Sequence, residues 1–231
     1  MCTVVVRWSP GEPVRVLALR DELVGRDFDD PEAWWTEQPD AVGGRDRSAG
    51  GSWCVTDVRT GATGMVLNRP ERPLAAEGAA SRGVLPLLAV RHGQQWPAAL
   101  ELGGMASFAL VLATAESLTC WEYDGQVLLR TELEPGTRVV TSGGPELQKA
   151  RVHLPALTAG AFPDGWLALL RDSEPTADPA GLVVRGEHEG RVFATVFGQL
   201  FTAEPGRLEL SWSRQPWGDG HWSTRTWSTT D

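Results

Sequence analysis

Short apolar runs rich in β-branched and aromatic residues recur along this chain, and most are separated by only a few residues. Residues 2–7 and 14–20 form the first two runs, and the Gly11-Glu12-Pro13 segment between them is typical of a tight turn. Residues 108–132 contain three further runs, two of them joined by the hairpin-like Tyr123-Asp124-Gly125-Gln126. Strands with such short connections pair antiparallel. The pattern therefore predicts largely antiparallel sheets.

Predicted helices interrupt these strand runs. Residues 81–94 carry apolar side chains at helical spacing, and two more helices are predicted between residues 145 and 170. Strand runs resume at residues 191–197 and 207–213. An order of strands, helices and strands again predicts α+β layers and not a doubly wound fold. Because no linker is visible, residues 1–231 are expected to form one domain, with the tail after about residue 215 unassigned.

The composition argues against several classes of function. The 231-residue chain has a net charge of −9 and no basic run, whereas nucleic-acid-binding proteins favour basic patches. No apolar stretch approaches the roughly 18 residues of a membrane span, and the start lacks a signal-peptide pattern. The three cysteines are widely spaced and form no disulfide framework. We expect a cytoplasmic protein that acts on a small-molecule substrate or ligand, without nucleic acid or membrane span; the sequence leaves the oligomeric state open.

The opening Met1-Cys2-Thr3 places a thiol next to the first methionine. A small second residue normally permits removal of Met1, which would leave Cys2 with both a thiol and a free α-amino group. An α-amine titrates at roughly 7.7–8.0, so it can take the proton of a thiol whose unperturbed pKa is about 8.5. Cys2 is therefore a candidate nucleophile that carries its own base. The alternative is a small buried residue that opens a strand.

Three consecutive ionisable residues, Arg20-Asp21-Glu22, end the second predicted strand. A hairpin of the first two strands would bring them beside Cys2, where Arg20 could fix a carboxylate and the carboxylate could orient the terminal amine. Successive side chains of a strand face opposite sides, so Arg20 and Asp21 could both reach Cys2 only where the strand bends or ends. The alternative is a solvated strand end.

Two further segments are candidates for a binding role. Asn68 ends a predicted strand, where its amide N–H could serve an oxyanion; the alternative is an ordinary turn residue. Residues 43–51 are the most glycine-dense stretch but lack the phosphate-loop pattern, so they predict close approach of the backbone to a ligand or a neighbouring strand. The 11 Trp residues against one Tyr are interpreted either as an aromatic pocket or as core packing.

Taken in order, these segments resemble the motifs of the NRDE family, also called the transport and Golgi organisation protein 2 family. The matching segments are Met1-Cys2-Thr3, Arg20-Asp21-Glu22, Ala49-Gly50-Gly51-Ser52-Trp53, Leu67-Asn68-Arg69-Pro70-Glu71, Thr141-Ser142-Gly143-Gly144-Pro145 and Gly190-Arg191. They span about 190 residues in the family's order. The family in turn resembles N-terminal-nucleophile hydrolases, whose cysteine members cleave amides.

The resemblance implies a four-layer αββα sandwich with largely antiparallel sheets, and a hydrolase that acts on the C–N bond of a small acyl amide. By this resemblance Cys2 would be the nucleophile, and Arg20 and Asp21 its orienting pair. Asn68 would be an oxyanion donor, and Arg191 a supporting cation.

Two residues depart from the family's motifs. Leu19 stands where the name motif has Asn, and Gly143 stands where the Ser-Asn segment would supply an oxyanion donor. Loss of one such donor costs about 10²–10³ in turnover. Backbone N–H groups of Gly143 and Gly144 are the candidate replacements.

The alternative function is a non-catalytic ligand-binding or trafficking protein on the same fold. Relatives in the family have been linked to haem mobilisation and to lipid or acyl-CoA homeostasis, so haem would then be the cofactor. The four histidines, His92, His153, His188 and His221, are scattered and show neither a Cys-x-x-Cys-His motif nor a pair at ligand spacing. The sequence also lacks zinc-ligand spacing. The hydrolase interpretation therefore requires no cofactor and no metal.

Overall fold

Two seven-stranded antiparallel sheets form the centre of the protein in the computed structural model, which describes residues 2–69, 75–143, 148–188 and 190–229. The first sheet consists of β1 (Thr3–Trp8), β2 (Val14–Leu23), β10 (Gly136–Thr141), β11 (Arg185–His188), β12 (Arg191–Glu204), β13 (Arg207–Ser213) and β14 (Ser223–Ser228). The second sheet consists of β3 (Phe28–Glu32), β4 (Ala41–Asp46), β5 (Cys54–Asp57), β6 (Thr63–Asn68), β7 (Phe108–Ala113), β8 (Leu118–Tyr123) and β9 (Leu128–Glu132). The first sheet has the order β10-β1-β2-β12-β13-β14 with β11 beside β12, and the second is a meander from β3 to β9.

Helices cover the outer face of each sheet. They are α1 (Leu85–His92), α2 (Gln148–Ala159) and α3 (Asp164–Arg171), with 3-10 helices at Arg82–Val84 and Gly93–Ala99. The α2–α3 pair packs on the first sheet in a cluster that contains Leu17 and Trp166. On the other side, α1 packs on the second sheet in a cluster that contains Leu85 and Leu110. A third apolar cluster fills the space between the sheets, so the layers are helix, sheet, sheet and helix, as the αββα prediction requires.

Alternation along β2 decides which layer each side chain reaches. Ala18 packs in the core between the sheets, whereas Leu19 packs against the α2–α3 layer. By the same alternation Arg20 faces the space between the sheets and Asp21 faces the helices. Because β1 pairs antiparallel with β2, with Thr3 opposite Leu19, the preceding residue Cys2 lies beside this charged segment.

The structure confirms most predicted elements, adds a strand in the unassigned tail and extends another strand. The unassigned tail contributes β14, which pairs with β13 and extends the first sheet. β12 continues seven residues beyond the predicted end at residue 197, because it pairs with both β2 and β13 over that length. Across the described ranges, no helix combines the length and apolar character needed to cross a membrane.

Candidate active site

Cys2 lies at one end of the space between the two sheets, held by its neighbours on β2 and β10. Its backbone nitrogen donates a hydrogen bond to Ser142 Oγ at 2.8 Å, and the Ser142 nitrogen donates to the Cys2 carbonyl at 3.3 Å. The Cys2 sulfur lies 3.7 Å from the carbonyl oxygen of Asp21. These contacts follow from the strand order, because β1 lies between β2 and β10. These contacts fix two groups of Cys2: the nitrogen that would become the α-amine, and the thiol.

A cavity of about 110 Å³ opens beside Cys2. Its polar side chains come from both sheets and from the 3-10 helix before α1; besides Cys2 they are Arg20, Glu22, Arg26, Asp46, Ser52, Asn68, Ser81 and Arg82. Three predicted site residues, Cys2, Arg20 and Asn68, therefore border one cavity. The cavity is smaller than the roughly 300–1,000 Å³ of typical ligand pockets, which favours a small group over a macrocycle.

Arg20 is buried against an aromatic wall. Its guanidinium lies 4.4 Å from the ring centroid of Trp53 and 5.0 Å from that of Phe28. Its ion-pair partners are Asp46 at 3.2 Å and Glu22 at 3.5 Å. Arg20 was expected to fix a carboxylate, and the carboxylates that it contacts are Asp46 and Glu22. Neighbouring residues of a strand face opposite sides, so Arg20 pairs with carboxylates on its own side of β2.

Asp21 makes its contacts on the helix side of β2. Its Oδ1 accepts a hydrogen bond of 2.6 Å from Thr195 Oγ1. Its Oδ2 lies 3.7 Å from Lys149 Nζ on α2, and the side chains of Asp21 and Lys149 are 0% and 3% exposed. Asp21 touches Cys2 through its backbone carbonyl and lies close enough for its charge to influence the thiol. Its carboxylate therefore acts on Cys2 from behind the sheet.

A β-bulge in β12 lets this strand contact Asp21 on one face of the sheet and the aromatic wall beside Arg20 on the other. The register between β12 and β2 shifts between Thr195, opposite Asp21, and Phe197, opposite Arg20. Without the extra residue Thr195 and Phe197 would face the same side. With it, Thr195 reaches Asp21, while the ring of Phe197 packs edge-on against Trp53 at 5.6 Å.

Burial shifts the pKa of the principal ionisable groups. Burial, and next the negative charge of Asp21, raises the pKa of the Cys2 thiol, although Arg20 opposes this. Burial lowers the pKa of Lys149, and the nearby Asp21 carboxylate opposes that shift. Burial also lowers the pKa of Arg20 and of Arg82. At both arginines the negative charges of the Cys2 thiolate and of Glu22 oppose this shift. The site therefore favours a neutral thiol unless a base removes its proton.

The glycine-dense segment positions Arg82 at the cavity. A Cβ at Gly51 would lie 2.4 Å from the backbone carbonyl carbon of Gly83, so only Gly fits there. Ser52 N donates to Gly83 O at 2.9 Å, and Arg82 Nη1 donates to Ser107 O at 2.9 Å. The segment approaches the neighbouring strand β5 at Gly43, as predicted, since a Cβ there would lie 2.4 Å from the Cys54 carbonyl oxygen. At Gly51 the close neighbour is instead a 3-10 helix, and the consequence is a fixed arginine beside Cys2.

The remaining predicted site residues differ in their placement. Asn68 is the exposed last residue of β6 and borders the cavity. Gly143 follows Ser142 in the turn after β10, and Gly144 lies outside the described residues. Arg191 is exposed at the start of β12 and does not border the cavity. The pairing of β12 with β2 begins only at Phe193, so the position predicted for a supporting cation lies beyond the end of β2.

Leu19, which replaces the Asn of the family's name motif, points away from the cavity. Its side chain is buried in the cluster formed with α2 and α3. An apolar residue suits that environment, since a buried polar side chain there would need hydrogen-bond partners. The departure at this position therefore alters the helix layer and leaves the lining of the cavity unchanged.

Three residues at the site were not predicted: Ser142, Arg82 and Lys149. Ser142 belongs to a recognised motif, but only the pairing of β1 with β10 places it at the Cys2 nitrogen. Arg82 is one of many arginines in the sequence. Lys149 had a usable signal, because it is the only Lys among 21 Lys and Arg residues.

Potential metal ligands do not cluster among the described residues. This part of the chain contains no group of three or more His, Cys, Asp or Glu side chains that could hold a metal ion. His153 on α2 contacts the carbonyl of Ala180 at 2.9 Å, and His92 ends α1 on the opposite side of the sandwich.

The largest fully buried aromatic residues, Trp96, Trp121 and Trp166, pack in apolar clusters. Their placement favours core packing over an aromatic pocket for these three residues.

Comparison with solved structures supports the fold. A Caenorhabditis elegans N-acylethanolamine-hydrolyzing acid amidase (NAAA) ortholog matches with a TM-score of 0.55 over 100% of both chains, at 10% sequence identity. At this identity the likeness is evidence for the N-terminal-nucleophile hydrolase fold alone. A search of curated proteins finds no match. Residues 1–156, more than half of the chain, match the family described as Transport and Golgi organisation 2, and the chain therefore belongs to that family.

Proposed function

We propose that this protein is an amide hydrolase that uses Cys2 as its nucleophile after Met1 has been removed. One observation carries the proposal. The Cys2 nitrogen, which Met1 removal would free as an α-amine, is held by Ser142 Oγ at 2.8 Å, while Cys2 itself borders a cavity shared with Arg20 and Asn68. Base, nucleophile and a candidate oxyanion donor then belong to one small site.

The chemistry follows from these groups. The α-amine takes the proton of the thiol, and the sulfur attacks the carbonyl carbon of an acyl amide. Asn68 and the backbone of Gly143 are the candidate donors to the oxyanion. When the intermediate collapses, the C–N bond breaks and the protonated α-amine gives its proton to the leaving nitrogen. Water then hydrolyses the thioester, releasing the carboxylic acid and restoring the thiol.

The raised pKa of the Cys2 thiol explains why this chemistry depends on Met1 removal. Burial and the Asp21 carboxylate disfavour a thiolate, so the sulfur needs a neighbouring base. A peptide nitrogen cannot take a proton, whereas a free α-amine with a pKa of roughly 7.7–8.0 can. We expect the form that retains Met1 to react slowly and the form that begins at Cys2 to react fast.

Intact mass spectrometry before and after brief exposure to iodoacetamide tests the proposal. We expect Met1 to be absent and one fast label to appear, which Cys2→Ala removes. Cys54 and Cys120 are internal controls, because burial raises the pKa of each thiol to about 12. A panel of acyl amides should then give a transient acyl adduct on the wild type and none on Cys2→Ala.

Two outcomes would contradict this mechanism. Met1 retained on protein that cleaves amides would exclude the Cys2 α-amine as the base. Labelling of Cys2 no faster than that of a simple thiol, without amide cleavage, would favour a binding or trafficking protein on the same fold. Titration with haemin, read from the Soret band of wild type and Cys2→Ala, would test the haem alternative.

A further inference from the structure

The cavity beside Cys2 contains more positive than negative side chains among the described residues. Arg20, Arg26 and Arg82 border it together with two carboxylates, Glu22 and Asp46. Three cations and two anions leave a surplus of one positive charge, with the Cys2 thiol neutral. A solvent-accessible cleft with such a surplus attracts anions.

The two carboxylates are already engaged by two of the arginines. Asp46 Oδ2 lies 2.7 Å from Arg26 Nε and 3.2 Å from Arg20 Nη2. Glu22 Oε2 lies 3.5 Å from Arg20 and 3.9 Å from Arg26. Among the described residues, Arg82 has no carboxylate within 4.0 Å of its guanidinium, so the surplus charge lies on Arg82.

Arg82 is held in place before any ligand arrives. Its Nη1 donates to the Ser107 carbonyl, and the following residue, Gly83, is tied to Ser52 and capped by Ser81 Oγ at 3.3 Å. A guanidinium presents several donors in one plane and can still use its other nitrogens for a ligand. Pre-organisation of this kind reduces the entropy lost on binding.

A second buried donor lies on the same cavity wall. Arg20 is 4% exposed, and among the described residues its Nη1 has no hydrogen-bond acceptor. Buried donors are normally satisfied by protein, water or ligand. Arg20 and Arg82 therefore both have unused hydrogen-bonding capacity at a cavity whose own carboxylates are occupied.

We propose that this cavity binds the carboxylate of an N-acyl amino acid, with Arg82 as the residue that selects the anion. This inference rests on the proposed function in one respect: it takes the bound molecule to be a substrate. A carboxylate matches both the planar donors of Arg and a surplus of one charge, whereas a phosphate monoester carries about −1.5 to −2. The small volume fits the short carboxylate side of such an amide.

Paired alkylating reagents test this without requiring amide cleavage. Iodoacetate and iodoacetamide have the same reacting carbon, but only iodoacetate carries a carboxylate. We expect the ratio of their rates at Cys2 to exceed the ratio at a free Cys-Thr-Val peptide by about tenfold or more, the effect of one charge-assisted hydrogen bond. Arg82→Gln should return the ratio to the peptide value, because any effect of the lost charge on the Cys2 thiolate changes both rates alike and cancels in the ratio. Arg82→Lys should retain part of the preference.

Arg91→Gln is the matched control, because Arg91 is exposed on α1 and does not border the cavity. It should leave the ratio unchanged, and thermal melting should show that every variant is folded. A wild-type ratio equal to that of the peptide, or a ratio unaffected by Arg82→Gln, would overturn the inference. If neither reagent reacts, ligand-observed NMR with N-acetylglycine and its neutral methylamide decides instead; equal signals from both would also overturn it.

The outcomes separate this inference from the proposed function. A high alkylation ratio without cleavage of any acyl amide, charged or neutral, would support the anion site and exclude the hydrolase. Cleavage of neutral amides as fast as N-acyl amino acids would retain the hydrolase and remove the carboxylate site.

Discussion

The two sides of β2 hold charged groups in different ways. On the helix side, one Asp21 carboxylate faces one Lys149 ammonium, and both side chains are almost completely buried. On the cavity side, Arg20 and Arg26 share two carboxylates, Arg82 has no carboxylate within 4.0 Å among the described residues, and the Arg26 side chain is 36% exposed. A balanced buried pair suits a structural or positioning role, whereas an unbalanced and partly open group can accept a ligand.

The difference shows how one short motif can serve two purposes. Arg20 and Asp21 are adjacent in sequence, but strand alternation sends them to different environments. Arg20 joins the cavity with Cys2, and Asp21 joins Lys149 and Thr195 behind the sheet. This division predicts that substitutions behind the sheet act mainly on stability and that substitutions in front of it act on anion selection.

Lys149→Met should give the largest effect, because it removes a buried ammonium that lies 3.7 Å from the buried Asp21 carboxylate. Removal of one partner from a buried pair costs about 3 kcal/mol or more in the free energy of unfolding. Urea denaturation of wild type and variant measures this. The double variant Asp21→Asn with Lys149→Met should recover part of the loss, since a neutral amide needs no counter-ion.

Arg171→Met is the control for this experiment, because Arg171 is an exposed basic residue at the end of α3. Its cost should remain within about 0.5 kcal/mol. A loss for Lys149→Met as small as that for Arg171→Met would show that the buried pair contributes little. The iodoacetate to iodoacetamide ratio of any folded Lys149→Met protein should stay close to the wild-type value.

Gly51→Ala should give the next largest effect, this time on the cavity side. The new Cβ would lie 2.4 Å from the Gly83 carbonyl, and overpacking of this kind costs about 1–3 kcal/mol. The shift of the 3-10 helix should also displace Arg82 and lower the iodoacetate preference at Cys2. Gly103→Ala is matched to it, since a Cβ at Gly103 meets no atom within 4 Å. If Gly51→Ala kept the wild-type preference for iodoacetate, the contact between Gly51 and Gly83 would not be what positions Arg82.

Local sequence patterns predicted most of the strands and helices, but they missed β3, β4, β11 and β14 and could not predict the full extent of each element. The two-residue period and the turn segments identified strands such as β7 and β8, because local chemistry determines these elements. β12 continues through Gly198 and Gln199, where the apolar pattern is interrupted. Pairing on both sides stabilises that stretch, and such long-range pairing has no local signature.

The candidate site divides in the same way. Cys2 and Asn68 were predicted from motif position, and both border the cavity. Ser142 and Arg82 depend on strand order and on one glycine contact, which no window of sequence contains. Lys149 is different, because a single Lys among 20 Arg indicates a position where an ammonium is required. Arg191 shows the converse: a motif match alone did not bring the residue to the cavity.

Asp46→Asn should give the smallest effect and tests the cavity side through pH. Burial opposes ionisation of Asp46, but hydrogen bonds from Arg26 and from the Ala49 and Ser48 amides lower its pKa below the usual value. As pH falls below about 4, the unfolded chain takes up the proton first, so this contribution to the stability of the native state is lost as pH falls through the depressed native pKa. Denaturation at pH 5, 4 and 3 should therefore show a shallower loss for Asp46→Asn than for wild type. Glu174→Gln, at an exposed position, is the control and should follow the wild-type curve. If Asp46→Asn also follows the wild-type curve, the arginines do not hold the Asp46 carboxylate. The surplus of one positive charge at the cavity would then be wrong.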